Sequence, residues 1–140
     1  PMEPLQELAA RTDGVRFVSK FITDPEIPAF FKRADLVALP YREIDQSGVL
    51  YTALAFGKPL LLTDVGGFPE VASTGAAELV PANDTEALAL ALQRLLADPQ
   101  ARERLATASA QAGSAGGPYA WSQIAKQTVD LYQRLLANHA

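Results

Sequence analysis

Two short apolar runs constrain this chain most. "DLVALP" (Asp35–Pro40) and "KPLLLTD" (Lys58–Asp64) show no polar alternation across their centres. A strand with one wet face alternates, whereas an unbroken apolar run suits a strand covered on both faces, as in parallel sheets. Parallel neighbours need a crossover element between them. The residues between these two runs read as one: "GVLYTALAF" (Gly48–Phe56) is a helix of small and apolar residues, with Gly57 as its C′ residue.

The flanking segments repeat the alternation of strand and helix. Leu5, Leu8 and Ala9 stand at helical spacing, and Asp13-Gly14 stops that helix. "VRFVSKF" (Val15–Phe21) alternates and is β-branched, which predicts a strand with a loop starting near Ser19. "DPEIPAFFKRA" predicts a short helix with Asp24 as N-cap and with Phe30 and Phe31 in the core. "VGGFPEVAS" gives a glycine turn and a short helix, and "AAELVPA" a last strand. "NDTEALALALQRLLADP" is a capped helix ending at Asp98-Pro99, and "QARERLATASAQA" is another. "GSAGGP" is the best linker candidate. It precedes an amphipathic helix whose Trp121, Ile124, Val129, Tyr132, Leu135 and Leu136 are expected on the buried side.

This order predicts an α/β fold, an open and mostly parallel sheet with helices on both faces and right-handed crossovers. At 140 residues, 49% apolar and 20% charged, the chain has one-domain size and enough material for a core. We divide it into residues 1–112, a linker at 113–118 and a closing helix of the same domain at 119–140. Its opening reads as a helix already in progress, which leads us to expect a fragment. A net charge of −4 without any basic stripe argues against nucleic acid as a partner. There is no cysteine, and the one histidine, His139, stands beside the C-terminus, so thiolate and histidine metal sites are not expected. No run is long and apolar enough to span a bilayer, and neither a signal peptide nor a location other than the cytoplasm is expected.

In such sheets ligands gather outside the carboxyl ends of the strands. Three loops leave those ends: "SKFITD", "YREIDQSG" and "DVGGFPE". The second opens a helix at Ser47-Gly48, which is either a simple N-cap or a cradle for an anion on unpaired helical N–H groups.

"ADLVALPYREIDQSGVLYTALAFGKPLLLTDVGGFPEVA" resembles the signature of retaining glycosyltransferases of the GT-B type, the glycosyltransferase group 1 family. The segments before and after it are similar to the family's neighbouring elements, so the likeness spans nearly the whole chain. It implies a Rossmann-like, N-terminally incomplete nucleotide-sugar-binding domain, part of the C-terminal half of a GT-B enzyme. That enzyme would move a sugar from a nucleotide-diphosphate donor to an acceptor, with retention and with neither metal nor cofactor.

The resemblance further implies that backbone N–H groups of Ser47, Gly48 and Val49 meet the donor diphosphate. Ser19, Lys20 and Phe21 would lie against the nucleobase, and Thr52 would offer a hydroxyl to the ribose. Gln46, Gly66 and Gly67 would line the same edge. The family places two glutamates eight apart around this helix start; those positions hold Ile44 and Thr52 here. Glu43 and Asp45 flank the first, and either is a candidate for the catalytic carboxylate. Read as ordinary residues, Glu43 and Asp45 are solvated loop charges and Glu70 is a first-turn acid.

Lys58 is expected over a helix C-terminus, while Tyr41 and Tyr51 are left open between core and ligand edge. The family's Gly-Arg…Lys-Gly loop has no counterpart, and Lys20, Lys58 and Arg42 are the nearby cations. The implied partners are a nucleotide-sugar donor and an N-terminal acceptor domain. Self-association through an exposed edge is expected, membrane association of the parent stays open, and the isolated piece is expected to be inactive. The competing reading is a non-catalytic α/β nucleotide-binding or interaction module. A receiver-type domain would need an acidic cluster at the first strand end, and none stands there.

Overall fold

The computed structural model describes residues 2–137, so His139 lies outside the described residues. Ten elements follow one another: α1 (Glu3–Ala10), α2 (Ile27–Arg33), β1 (Val37–Leu39), α3 (Gly48–Ala55), β2 (Leu60–Thr63), α4 (Phe68–Ser73), β3 (Ala77–Val80), α5 (Thr85–Ala97), α6 (Pro99–Ala112) and α7 (Trp121–Ala137). The three strands form one parallel sheet in the order β1-β2-β3, with Leu39 opposite Leu62 and Leu62 opposite Leu79.

The apolar runs behave as their lack of alternation requires. Leu60, Leu61 and Leu62 are each 0% exposed. Successive strand residues face opposite ways. Leu60 and Leu62 therefore join Leu50, Ala53, Leu54, Phe68 and Val71 of α3 and α4, while Leu61 joins Ala91, Leu95 and Ala101 of α5 and α6. Two small cores, one on each side of the sheet, make this the α/β arrangement with helices on both faces. Gly57 follows α3 at φ +59, the left-handed value expected of a C′ glycine.

Asp84 and Asp98 cap α5 and α6 by accepting from the N–H groups of Ala87 and Ala101, at 2.8 and 2.9 Å. Each such cap is worth about 1 kcal/mol.

Four expectations fail, each for an identifiable reason. Val15–Phe21 forms no strand and pairs with none among the described residues; Val15, Phe17, Val18 and Phe21 are all exposed. Alternation marks a segment fit for a sheet, yet a strand exists only where another backbone offers hydrogen bonds. Asp24 does not cap α2. The N-cap is Glu26, and its carboxylate instead braces the turn before the helix by accepting from the N–H and hydroxyl of Thr23 and from Lys20. Phe30 is 45% exposed; only Phe31 turns inward, stacking on Phe56 with centroids 5.3 Å apart. Finally, α7 buries none of its residues, and Trp121 is 84% exposed. Its apolar stripe is real, but no other described element covers it.

Lys58 does serve a helix C-terminus, though that of α2. Its ammonium donates to the carbonyls of Ala34 (2.9 Å) and Lys32 (3.4 Å), filling acceptors that the helix leaves open. Because it precedes β2, Lys58 lies at the amino end of the strands, the edge opposite the candidate site.

Glu26 has a consequence for pH. The ammonium of Lys20, then the N–H and hydroxyl of Thr23, hold its carboxyl down at about 2 against an ordinary 4.5. A depressed carboxyl stabilises the fold above its unfolded pKa and loses that contribution as pH falls through the folded one. Between pH 5 and pH 2 the wild-type urea midpoint should therefore fall more steeply than that of Glu26→Gln. The carboxylate lies at the surface, so the difference should be small and should shrink in high salt. Parallel curves for the two proteins would remove Glu26 from the acid response.

Candidate functional site

The carboxyl ends of β1 and β2 open into the loops Pro40–Ser47 and Asp64–Gly67, and the structure ties these loops together. The Thr63 hydroxyl at the end of β2 donates to the carbonyl of Tyr41 at 2.6 Å. The Gly67 N–H donates to the Asp45 carbonyl at 3.3 Å. Gly66 adopts φ +51, and a Cβ built there would stand 1.8 Å from the Ile44 carbonyl oxygen. Glycine is required at that point twice over, for its backbone angle and for the closeness of the next loop. Ile44 packs inward against the core beside Tyr41, whose ring lies 5.7 Å from that of Phe68. Tyr41 is thus a packing residue.

With Ile44 turned in, its neighbours turn out. Glu43 and Asp45 are both exposed, as are Arg42 and Gln46. Ser47 is 4% exposed and caps α3, its hydroxyl accepting from the Leu50 N–H at 3.3 Å. The N-cap and the cradle are therefore compatible rather than rival. The cap takes one amide, while those of Gly48 and Val49 donate to no acceptor among the described residues. Both residues are exposed, and nothing stands within 4 Å of a Cβ built on Gly48. The start of α3 thus presents open N–H donors, the positive end of a helix dipole and room for a ligand to approach the backbone.

The remaining sequence candidates are distributed unevenly. Thr52 lies one turn further along α3, and its hydroxyl donates to the Gly48 carbonyl at 2.9 Å, which leaves its oxygen as an acceptor. Ser19, Lys20 and Phe21 form a separate exposed stretch, held by Gln6 to the Ser19 hydroxyl (2.9 Å) and by Lys20 to Glu26. Among the described residues no hydrogen bond joins that stretch to the Pro40–Ser47 loop. Of the three cations expected nearby, only Arg42 sits in that loop with no side-chain hydrogen bond to a described residue. Lys20 is paired with Glu26, and Lys58 is at the other edge.

One residue escaped the sequence reading. Tyr119, just beyond the glycine-rich segment, meets Tyr51 of α3 edge-on, with centroids 5.6 Å apart and planes at 61°. Burial, then the neighbouring Tyr51 and Glu70, push its phenol above the ordinary tyrosine range. No spacing rule links positions 51 and 119, so only the fold could bring them together.

Sequence comparison supplies independent relatives. A family model described as glycosyl transferases group 1 matches residues 1–98. The chain is 33% identical over 135 residues to a D-inositol 3-phosphate glycosyltransferase of Corynebacterium urealyticum, covering 96% of this chain and 31% of that protein. It is 35% identical over 123 residues to a phosphatidyl-myo-inositol mannosyltransferase of Mycobacterium leprae, covering 86% of this chain and 32% of that protein. Among solved structures, a sucrose-phosphate synthase from Thermosynechococcus elongatus superposes with a TM-score of 0.76 at 31% identity, covering 98% of this chain and 34% of that one. The chain spans about a third of the length of these relatives. A match over 98 of 140 residues, with fold and sequence in agreement across nearly the whole chain, places it in the glycosyl transferases group 1 family.

Proposed function

We propose that this chain is the donor-binding part of a retaining glycosyltransferase that transfers a sugar from a nucleotide-diphosphate donor. The observation that carries the reading is the open N-terminus of α3: Gly48 and Val49 offer unpaired amides at the carboxyl edge of a parallel sheet. A diphosphate there would accept from backbone donors that need no particular side chain. Ser47 shapes the turn, Thr52 offers an acceptor to the ribose, and Gln46, Gly66 and Gly67 border the same edge. Ser19–Phe21 would reach the base. Glu43 and Asp45 are the carboxylates within reach of the sugar, either one serving the charge that develops at its anomeric carbon. The reaction runs without metal or cofactor in this reading.

The 140 residues alone would bind but not transfer. The leaving diphosphate needs compensating cations, and of the three candidates Lys20, Lys58 and Arg42 only Arg42 is unengaged within the described residues. Titrating the chain with UDP, GDP and inorganic pyrophosphate, followed by amide NMR, tests the reading. Shifts centred on Ser47–Val49, with smaller ones at Ser19–Phe21 and Gly66–Gly67, are expected. No response at millimolar ligand would leave the second reading, a non-catalytic module. What favours that alternative is specific: Ile44 is turned into the core where the family carries a glutamate, and the Thr52 hydrogen is already spent on Gly48.

The same proposal includes self-association of this chain. Leu5 and Leu8 of α1 are each 56% exposed, and α7 adds Trp121, Tyr132 and Leu136 at 84%, 63% and 71%. Apolar stripes of this kind favour mutual burial. Elution in size-exclusion chromatography should move toward larger size as concentration rises, and a constant monomer position would count against it.

A further inference from the structure

We propose that Tyr119 is a positioning residue for the anion cradle, acting through Tyr51 on the first turn of α3; its effect on ligand binding rests on the diphosphate reading above. The segment Ala110–Tyr119, which begins at the end of α6, passes beside α3 and meets it, or the glycine that follows it, at three places. A Cβ on Gly57 would lie 3.2 Å from that of Ala110. A Cβ on Gly113 would lie 2.4 Å from the Leu54 carbonyl oxygen, so only glycine lets the segment come this close. Tyr119 then closes on the Tyr51 ring. Positions 51 and 54 are neighbours on α3, and Gly57 follows its C-terminal end. The segment therefore forms a strap that follows α3 from its C-terminal end toward the cradle.

The glycine-rich stretch, expected as a linker, is closely folded. The Ser114 N–H donates to Gln111 (3.3 Å), that of Gly117 to Ser114 (2.9 Å) and that of Ala120 to Gly117 (3.0 Å). A Cβ on Gly117 would stand 2.2 Å from the Ala112 carbonyl oxygen, and the residue is buried. Backbone turns thus fix the distance from Gly113 to Tyr119, and with it the place where the ring lands.

The first turn of α3 needs such support. Eight residues are too few to hold a helix alone, and the Ser47 cap is long at 3.3 Å. Side chains on a helix lean toward its N-terminus, so Tyr51 covers the turn that carries Gly48. Pressing on Tyr51 from the strap side, Tyr119 restrains the turn whose amides form the cradle. The contact is made by rings, and the Tyr119 hydroxyl makes no hydrogen bond to a described residue.

The test compares the 140-residue wild type, Tyr119→Ala and Tyr119→Phe by amide NMR, hydrogen exchange and titration with inorganic pyrophosphate. Tyr119→Ala should speed exchange at Leu50 and Tyr51 at least tenfold relative to any change at Leu61 and Leu62 of β2. It should also move the Gly48 and Val49 resonances and weaken pyrophosphate binding about five- to tenfold. Tyr119→Phe should restore all three. If the alanine variant does not fold, Tyr119→Leu replaces it with the same expected pattern.

Unchanged protection at Leu50 and Tyr51, or loss no greater than in β2, overturns the proposal. So does a phenylalanine variant as impaired as the alanine one, because the hydroxyl and not the ring would then matter. A wild type that ignores pyrophosphate overturns the diphosphate reading alone, and the strap then stands or falls on the exchange data.

Discussion

Gly66→Ala should lower stability by roughly 3 kcal/mol, the sum of about 1–2 kcal/mol for a left-handed backbone angle and a further steric cost of about 1–3 kcal/mol. The added methyl would meet the Ile44 carbonyl oxygen at 1.8 Å and carbon at 2.9 Å, and both are backbone atoms that cannot swing aside. In a domain of this size that corresponds to a fall in Tm of about 10 °C. Gly14→Ala provides the comparison: its φ is +80, but nothing lies within 4 Å, so it should carry the backbone cost alone. Equal losses for the two variants would show that the loops part easily and that Gly66 does not lock them. If Gly66→Ala still folds, the Gly67 to Asp45 hydrogen bond should be lost with it, and the edge below α3 should loosen.

Gly48→Asp is expected to separate binding from stability. The position is open, so the new side chain meets no clash. A carboxylate in the first turn of a helix is favourable by about 0.3–1 kcal/mol, and replacing glycine within a helix adds to that. Thermal stability should therefore hold or rise. Diphosphate affinity should fall roughly 30- to 100-fold, because two like charges would share the cradle at a few ångströms. Gly48→Ala should be stabilised similarly with a smaller loss of affinity. Calorimetric titration with UDP checks both, and an aspartate variant that binds as well as wild type would sink the cradle.

Several parts of this protein could be read from local order because local order causes them. Leu60–Leu62 had to be covered on both faces, since each faces a different way and none is polar. Gly57, Asp84 and Asp98 had to end or start helices, since their backbone preference or side-chain acceptor acts within a few residues. The opening of α3 at Gly48 was legible for the same reason, as was the resemblance carried by the motif around it. Asp24 shows the limit of such reading: its side chain is suited to cap, yet the helix starts after Glu26, whose carboxylate accepts from Thr23 and Lys20 and makes no cap bond.

Local order was enough to set the helices, three of the four strands expected, their alternation and the opening of α3 at Gly48. These follow from periodicities and caps that act over about one turn or one strand. The tertiary structure alone decided which apolar stripes are covered. Val15–Phe21 and α7 carry patterns as clear as β1 or α5, yet pairing and burial require a partner surface, and among the described residues neither has one. It also decided that Ile44 turns in while Glu43 and Asp45 stay exposed, in a loop that Gly66, just after β2, approaches closely. Tyr119 reaches Tyr51 for a related reason: close glycine contacts at Gly113 and Gly117 fold a 10-residue strap along α3. Contacts between residues so far apart in the chain depend on how helices and sheet stack, which no local pattern encodes.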